Sequence, residues 1–129
     1  MEASRLKQLR PFADLSPAEL NMLARVVDEF EAPAGTTLVI QGDYGYEFMV
    51  IEQGTVNVVR NGETIDTMGP GDFFGELAVL TVGGQRNATI VATSPVRIVT
   101  LTAHYMREVS ERMPAIGAKI ESVIAARTH

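Results

Sequence analysis

The chain has 129 residues, 46% of them hydrophobic, a net charge of −5 and no cysteine. That is enough for one folded domain and excludes disulfides, thiolate metal sites and a Cys nucleophile. No apolar run approaches the ~18–20 residues of a membrane span, the opening MEASRLKQLR holds no signal-type apolar stretch, and the acidic balance argues against non-specific attachment to DNA or acidic membrane.

A single cytoplasmic domain without membrane insertion is therefore expected. Any anion it binds must be held by a local site that overrides the global field. The only lysines are Lys7 and Lys119 and the only histidines His104 and His129, so nothing between residues 8 and 103 is Lys or His.

Ten of the eleven glycines lie between Gly35 and Gly84. The stretches on either side carry helical patterns, which divides the chain into a helical segment 1–32, a β-barrel 33–101 and a second helical segment 102–129. The first strong helix signal is LSPAEL. Ser16 is a good N-cap, Pro17 suits the first helical position and Glu19 stands where a capping box needs it. Leu20, Leu23, Ala24 and Val27 continue at helical spacing, and Pro33 and Gly35 close the segment. A shorter helix around Leu6 to Leu9 is weakly signalled.

The middle reads as short strands divided by turns: TTLVI, YEFMVI, TVNVV, TIDTM, ATIVA and VRIVTL. Asn61-Gly62 between the third and fourth is the strongest hairpin signal in the chain. Many short strands at close spacing imply a mainly β fold, a jelly-roll barrel with flanking helices. After Leu101 the period changes. Tyr105, Met106, Val109 and Met113 fit one helix, Pro114 interrupts it, and Ile116, Ile120, Val123 and Ile124 fit a second, shorter one.

The stretch 71–89, GDFFGELAVLTVGGQRNAT, concentrates the chemistry. Gly75 and Glu76 open one or two turns of short helix, and Arg86 follows a glycine pair. A helix N-terminus presents unpaired N–H groups and partial positive charge, and Gly75 lets a ligand approach the backbone closely. Arg86 adds a bidentate grip on phosphate oxygens. One arginine and one helix end suit a phosphodiester; a triphosphate would want a P-loop lysine, absent here. Glu76 is an acceptor and suits a sugar hydroxyl. A plainer reading of the same residues is that Glu76 stabilises the helix start and Arg86 is its ion-pair partner.

FGELAVL followed by RNAT resembles the phosphate-binding cassette of the cyclic nucleotide-binding domain family, which includes regulatory subunits of cAMP-dependent kinase, catabolite activators and cyclic nucleotide-gated channels. The similarity runs from about Leu15 to Ile124 and takes in LSPAELNMLA, PAGTTLVIQGDYGYEFMVIEQGTVNV and MGPGDFFGE. Gly35, Gly42, Gly54, Gly71 and Gly75 match positions where the family usually has glycine.

The resemblance implies that Glu76 accepts the ribose 2′-OH, that Arg86 pairs with the cyclic phosphate, and that the amides of Gly75, Leu77 and Ala78 complete the cradle, with Asn87 and Ala88 beside it. It implies cAMP as ligand, with cGMP the runner-up, and an effector protein or fused domain as partner. No cofactor, metal or catalysis is implied. Gln85 stands where many members have Pro. Asn87 stands where members often have Ala, Ser or Thr; a hydroxyl there tends to go with cGMP and Ala with cAMP, while Asn both donates and accepts.

Other classes fit less well. A cupin-like metal centre needs histidines on barrel strands, and His104 reads as a surface or capping residue. Asp43, in a turn after Gly42, reads as structural rather than as a general base. A same-fold interaction or scaffold module with an empty pocket is the alternative, though such modules usually lack the Glu or the Arg. Only 28 residues follow Leu101, taken up by two helices without a basic stripe, so direct nucleic-acid binding is not expected. Ile120, Val123 and Ile124 can pack on the barrel, face a second subunit or, as the resemblance implies for some of them, cap the base.

Overall fold

A computed structural model describes residues 1–45, 47–75 and 85–127, with only the backbone described at Ser110, Ile120, Glu121 and 123–127. Helices α1 (Ala3–Lys7) and α2 (Pro17–Ala24), with a 3-10 turn at Arg10–Phe12 between them, precede eight strands. These are β1 (Asp28–Ala32), β2 (Thr37–Val39), β3 (Glu47–Gln53), β4 (Val56–Arg60), β5 (Glu63–Met68), β6 (Phe73–Phe74), β7 (Thr89–Ala92) and β8 (Val96–Thr102). Helices α3 (Ala103–Arg112) and α4 (Pro114–Arg127) follow. The strands form two four-stranded sheets, ordered β1-β8-β3-β6 and β2-β7-β4-β5, with every pairing antiparallel. This is the expected jelly roll.

The capping box forms as expected. The Glu19 amide donates to Ser16 Oγ at 3.2 Å and the Ser16 amide to Glu19 Oε1 at 2.8 Å. Asn61 and Gly62 both have positive φ, 53° and 82°, as a two-residue hairpin turn requires.

Strand β3 is buried on both faces from Phe48 to Ile51, which explains its unbroken apolar run. Phe48 and Val50 face a core shared with the helices, including Phe12, Leu23, Met106 and Ile116. Met49 and Ile51 face the space between the sheets, with Val56, Phe74, Ile90 and Ile98. Phe48 and Phe73 meet edge to face at 5.6 Å, an arrangement favoured by the ring quadrupoles.

Two expectations need correction, and one strand was not anticipated. The helix at Pro17 ends at Ala24, and the last five residues of the supposed helical segment 1–32 form strand β1. The sequence there, DEFEA, lacks apolar alternation because the strand is largely exposed. Its partner β8 and its charges define it: Glu31 lies opposite Arg97 and pairs with it, while Glu29 takes Arg97 at 2.8 Å and Arg5 at 3.1 Å. The two-residue strand β6, paired with Met49 and Val50, is too short to show a period. Finally, α4, with 14 residues, is longer than α3, with 10; Pro114 begins it, the position where a missing N–H costs nothing. No helix of the described residues is long and apolar enough to cross a membrane.

Candidate functional site

Arg86 is held by its backbone before its side chain comes into play. Its amide donates to the Asp43 carbonyl at 2.7 Å, its carbonyl accepts from the Gly42 amide at 2.8 Å, and its neighbour Gln85 bridges to Tyr44. The turn 42–44 thus clamps the residue from both sides. The side chain then runs to the start of β3, where Nη1 donates to the Glu47 carbonyl at 3.1 Å.

Two glycines make this path available. A Cβ on Gly45 would lie 2.2 Å from the guanidinium carbon of Arg86. A Cβ on Gly75 would lie 2.3 Å from Nη1 and 2.5 Å from the Glu47 carbonyl oxygen, and Gly75 has a φ of +80°. Gly75 is therefore required both for its backbone conformation and for its lack of a side chain.

Arg86, Gly75, Asn87 and Ala88 all line one open cavity of about 470 Å³ between the hairpin β4–β5, strand β7 and the β6 end of the other sheet. This lies within the ~300–1,000 Å³ of small-ligand sites. Ala88 is buried and Asn87 exposed. Glu76, Leu77 and Ala78, with the expected short phosphate-binding helix, lie outside the described residues, as do the side chains of Ile120, Val123 and Ile124.

The cavity holds residues that the sequence did not single out. Arg60, at the end of β4, donates from Nε to the Asn87 carbonyl at 3.0 Å. Arg10, from the 3-10 turn, pairs with Asp72 at 3.5 Å, and Asp72 also accepts from the Gly69 amide at 2.9 Å. Asp66 lies on the β5 wall. The described lining residues include three arginines and two aspartates, of which Arg10 and Asp72 pair with each other. In a chain of net charge −5, these arginines bring positive charge to the cavity wall, as anion binding needs. Arg60 had a sequence signal: it follows Val56 and Val58 at alternate positions of a strand and so shares their inward face. Arg10 and Gly45 had none.

A family model for the cyclic nucleotide-binding domain matches residues 29–113. The chain belongs to the cyclic nucleotide-binding domain family. It is similar to a cAMP-dependent protein kinase regulatory subunit from Yarrowia lipolytica, at 33% identity over 84 residues, 65% of this chain and 22% of the relative. It is also similar to the Pycsar effector protein XpPycTIR from Xanthomonas perforans, at 30% identity over 105 residues, 81% of this chain and 35% of the relative. Among solved structures, a cyclic nucleotide-binding domain from Methylobacillus flagellatus superimposes with a TM-score of 0.82 at 27% identity, covering 97% of this chain and 75% of that one. The chain thus spans less than a quarter of the first of these curated relatives and about a third of the second. The family is one of ligand-binding regulatory modules, and its shared region contains the seat of Arg86.

Proposed function

We propose that this cyclic nucleotide-binding domain is a cytoplasmic sensor for cAMP, with cGMP as the second choice, and that it signals to an effector protein or fused domain through α3 and α4. The observation that carries the reading is the seat of Arg86. A guanidinium is clamped by its backbone, threaded between two glycines and placed at the wall of a cavity that Arg10 and Arg60 also line. Arg86 pairs with the cyclic phosphate, helped by the amides of Gly75, Leu77 and Ala78. Glu76 accepts the ribose 2′-OH. Asn87 and Ala88 border the ligand, and Ile120, Val123 and Ile124 approach the base. The domain binds without catalysing and reads no nucleic acid itself. The cAMP preference draws on the similarity to a cAMP-dependent kinase regulatory subunit.

Calorimetric titration with cAMP and cGMP tests the reading. Saturable one-to-one binding that is lost in Arg86→Ala is expected. Absence of binding to both would leave an interaction or scaffold module of the same fold.

A further inference from the structure

The β4–β5 wall carries an inference that rests on the cyclic-nucleotide reading and deepens it. From the Asn61-Gly62 turn, Arg60 pairs with Glu63 and Val59 with Thr64. Continued regularly, that register would set Ile65 opposite Val58 and turn Asp66 to the outer face of the sheet. Instead the register shifts between Val58 and Val59, and Val58 lies opposite Asp66. One extra residue exchanges the two faces of a strand.

Asp66 therefore joins an inner row across the sheet, Val39–Ile90–Val58–Asp66, and all four residues line the cavity. Met68, two residues on and on the same face, packs against the core between the sheets. Ile65 is left 48% exposed. Asp66 is exposed as well, and both residues line the cavity. Such a bulge re-aims a side chain at a site.

The Asp66 carboxylate is anchored by its own strand: Oδ1 accepts from the Thr67 amide at 2.8 Å. Its Oδ2 takes no hydrogen bond from a described residue. An ionised carboxylate is an acceptor only. Arg86 belongs to the phosphate end, while the wall around Asp66 offers the apolar surface of Val58 and Ile90 to a flat base. The 6-amino group of adenine is a donor, whereas the corresponding edge of guanine presents two acceptors, O6 and N7. A carboxylate attracts the first and repels the second.

We propose that Asp66 is a specificity-determining residue that accepts a hydrogen bond from the exocyclic 6-amino group of adenine and disfavours 6-oxo purine cyclic nucleotides. The decisive probe is cyclic inosine monophosphate, which replaces that amino group with oxygen. The parent domain should bind cAMP more tightly by roughly ten-fold or more, as a charge-assisted hydrogen bond allows. Asp66→Ala should lose most of that preference by weakening cAMP binding alone. Asp66→Asn keeps the shape and offers an N–H to O6, so it should shift the ratio towards the inosine nucleotide. An unchanged ratio in both folded variants, whether or not the two affinities fall together, overturns the role of Asp66 and leaves the nucleotide reading standing. If the parent binds neither ligand, both readings fail.

Discussion

Lys119 donates to Glu19 Oε1 at 2.7 Å across 100 positions of sequence. The same oxygen accepts the Ser16 amide in the α2 capping box, and the Glu19 side chain is only 6% exposed. The last helix is thereby tied to the start of an early one through a buried carboxylate. Lys119, then the Ser16 amide, hold the Glu19 carboxyl below its ordinary pKa, while burial opposes them.

A carboxyl with a depressed folded pKa stabilises above the unfolded value and loses that contribution as pH falls through the folded one. The linkage is therefore fully present above about pH 4.5, the ordinary value, and lost in acid. Lys119→Met should destabilise the domain by about 1–2 kcal/mol near neutral pH, a charged hydrogen bond discounted for the partly exposed lysine. The gap between parent and variant should close on acidification. Urea unfolding at several pH values measures it, and a gap that widens in acid contradicts the assignment.

Signalling through α3 and α4, as proposed, should place the ligand-driven change at the junction between them. Met113 leaves helical geometry at φ −136° and ψ 79°, and Pro114 starts the next helix. The barrel strands share packed cores, whereas among its described side chains α4 is anchored by Ile116 in the helical core and by the Lys119–Glu19 bond. A ligand shifts such an equilibrium only by its differential affinity for two states. Hydrogen exchange with and without cAMP should show changed protection in 71–89 and again in 114–127. A response confined to 71–89 would mean binding without transmission to the C-terminal helices.

Arg86→Ala should weaken cyclic nucleotide binding about ten- to 150-fold, the range of one charge-assisted bond. Gly45→Ala offers the subtler test. Gly45 does not have the left-handed φ that only glycine favours, so alanine suits its backbone, but the added methyl would meet the Arg86 guanidinium at 2.2 Å. Affinity should fall by roughly ten-fold or more, with little change in the thermal midpoint. Unaltered affinity in Gly45→Ala would show that the observed seat of Arg86 is not the binding geometry.

Glu76→Gln keeps shape and removes charge, so affinity for cAMP should drop. The 2′-deoxy analogue should bind the parent poorly yet lose much less on the variant, since the missing hydroxyl and the missing charge belong to one interaction. Calorimetry on the four combinations gives the coupling. Additive losses would remove Glu76 from the ribose.

Features that act within a few residues were legible in residue order alone. The Ser16–Glu19 box, the Asn61-Gly62 hairpin, the break at Pro114 and the alternation of the β4 strand each depend on neighbours along the chain. The proposed cassette was read on another ground: its glycines, its glutamate and its arginine resemble a family spacing. Other features came into being only with the packed fold. Strand β1 exists because β8 pairs with it and Arg5 and Arg97 neutralise its glutamates. Gly45 matters because Arg86, 41 residues later in the chain, lies against it. Asp66 stands opposite Val58, at the cavity wall, because a single bulge slips the register of a hairpin whose turn was correctly read. Lys119 reaches Glu19 only after the barrel has brought the two ends of the chain together. The physical reason is range: hydrogen bonding and sterics leave a local signature on residue order, while side-chain contact across tens of residues is fixed by packing and leaves none.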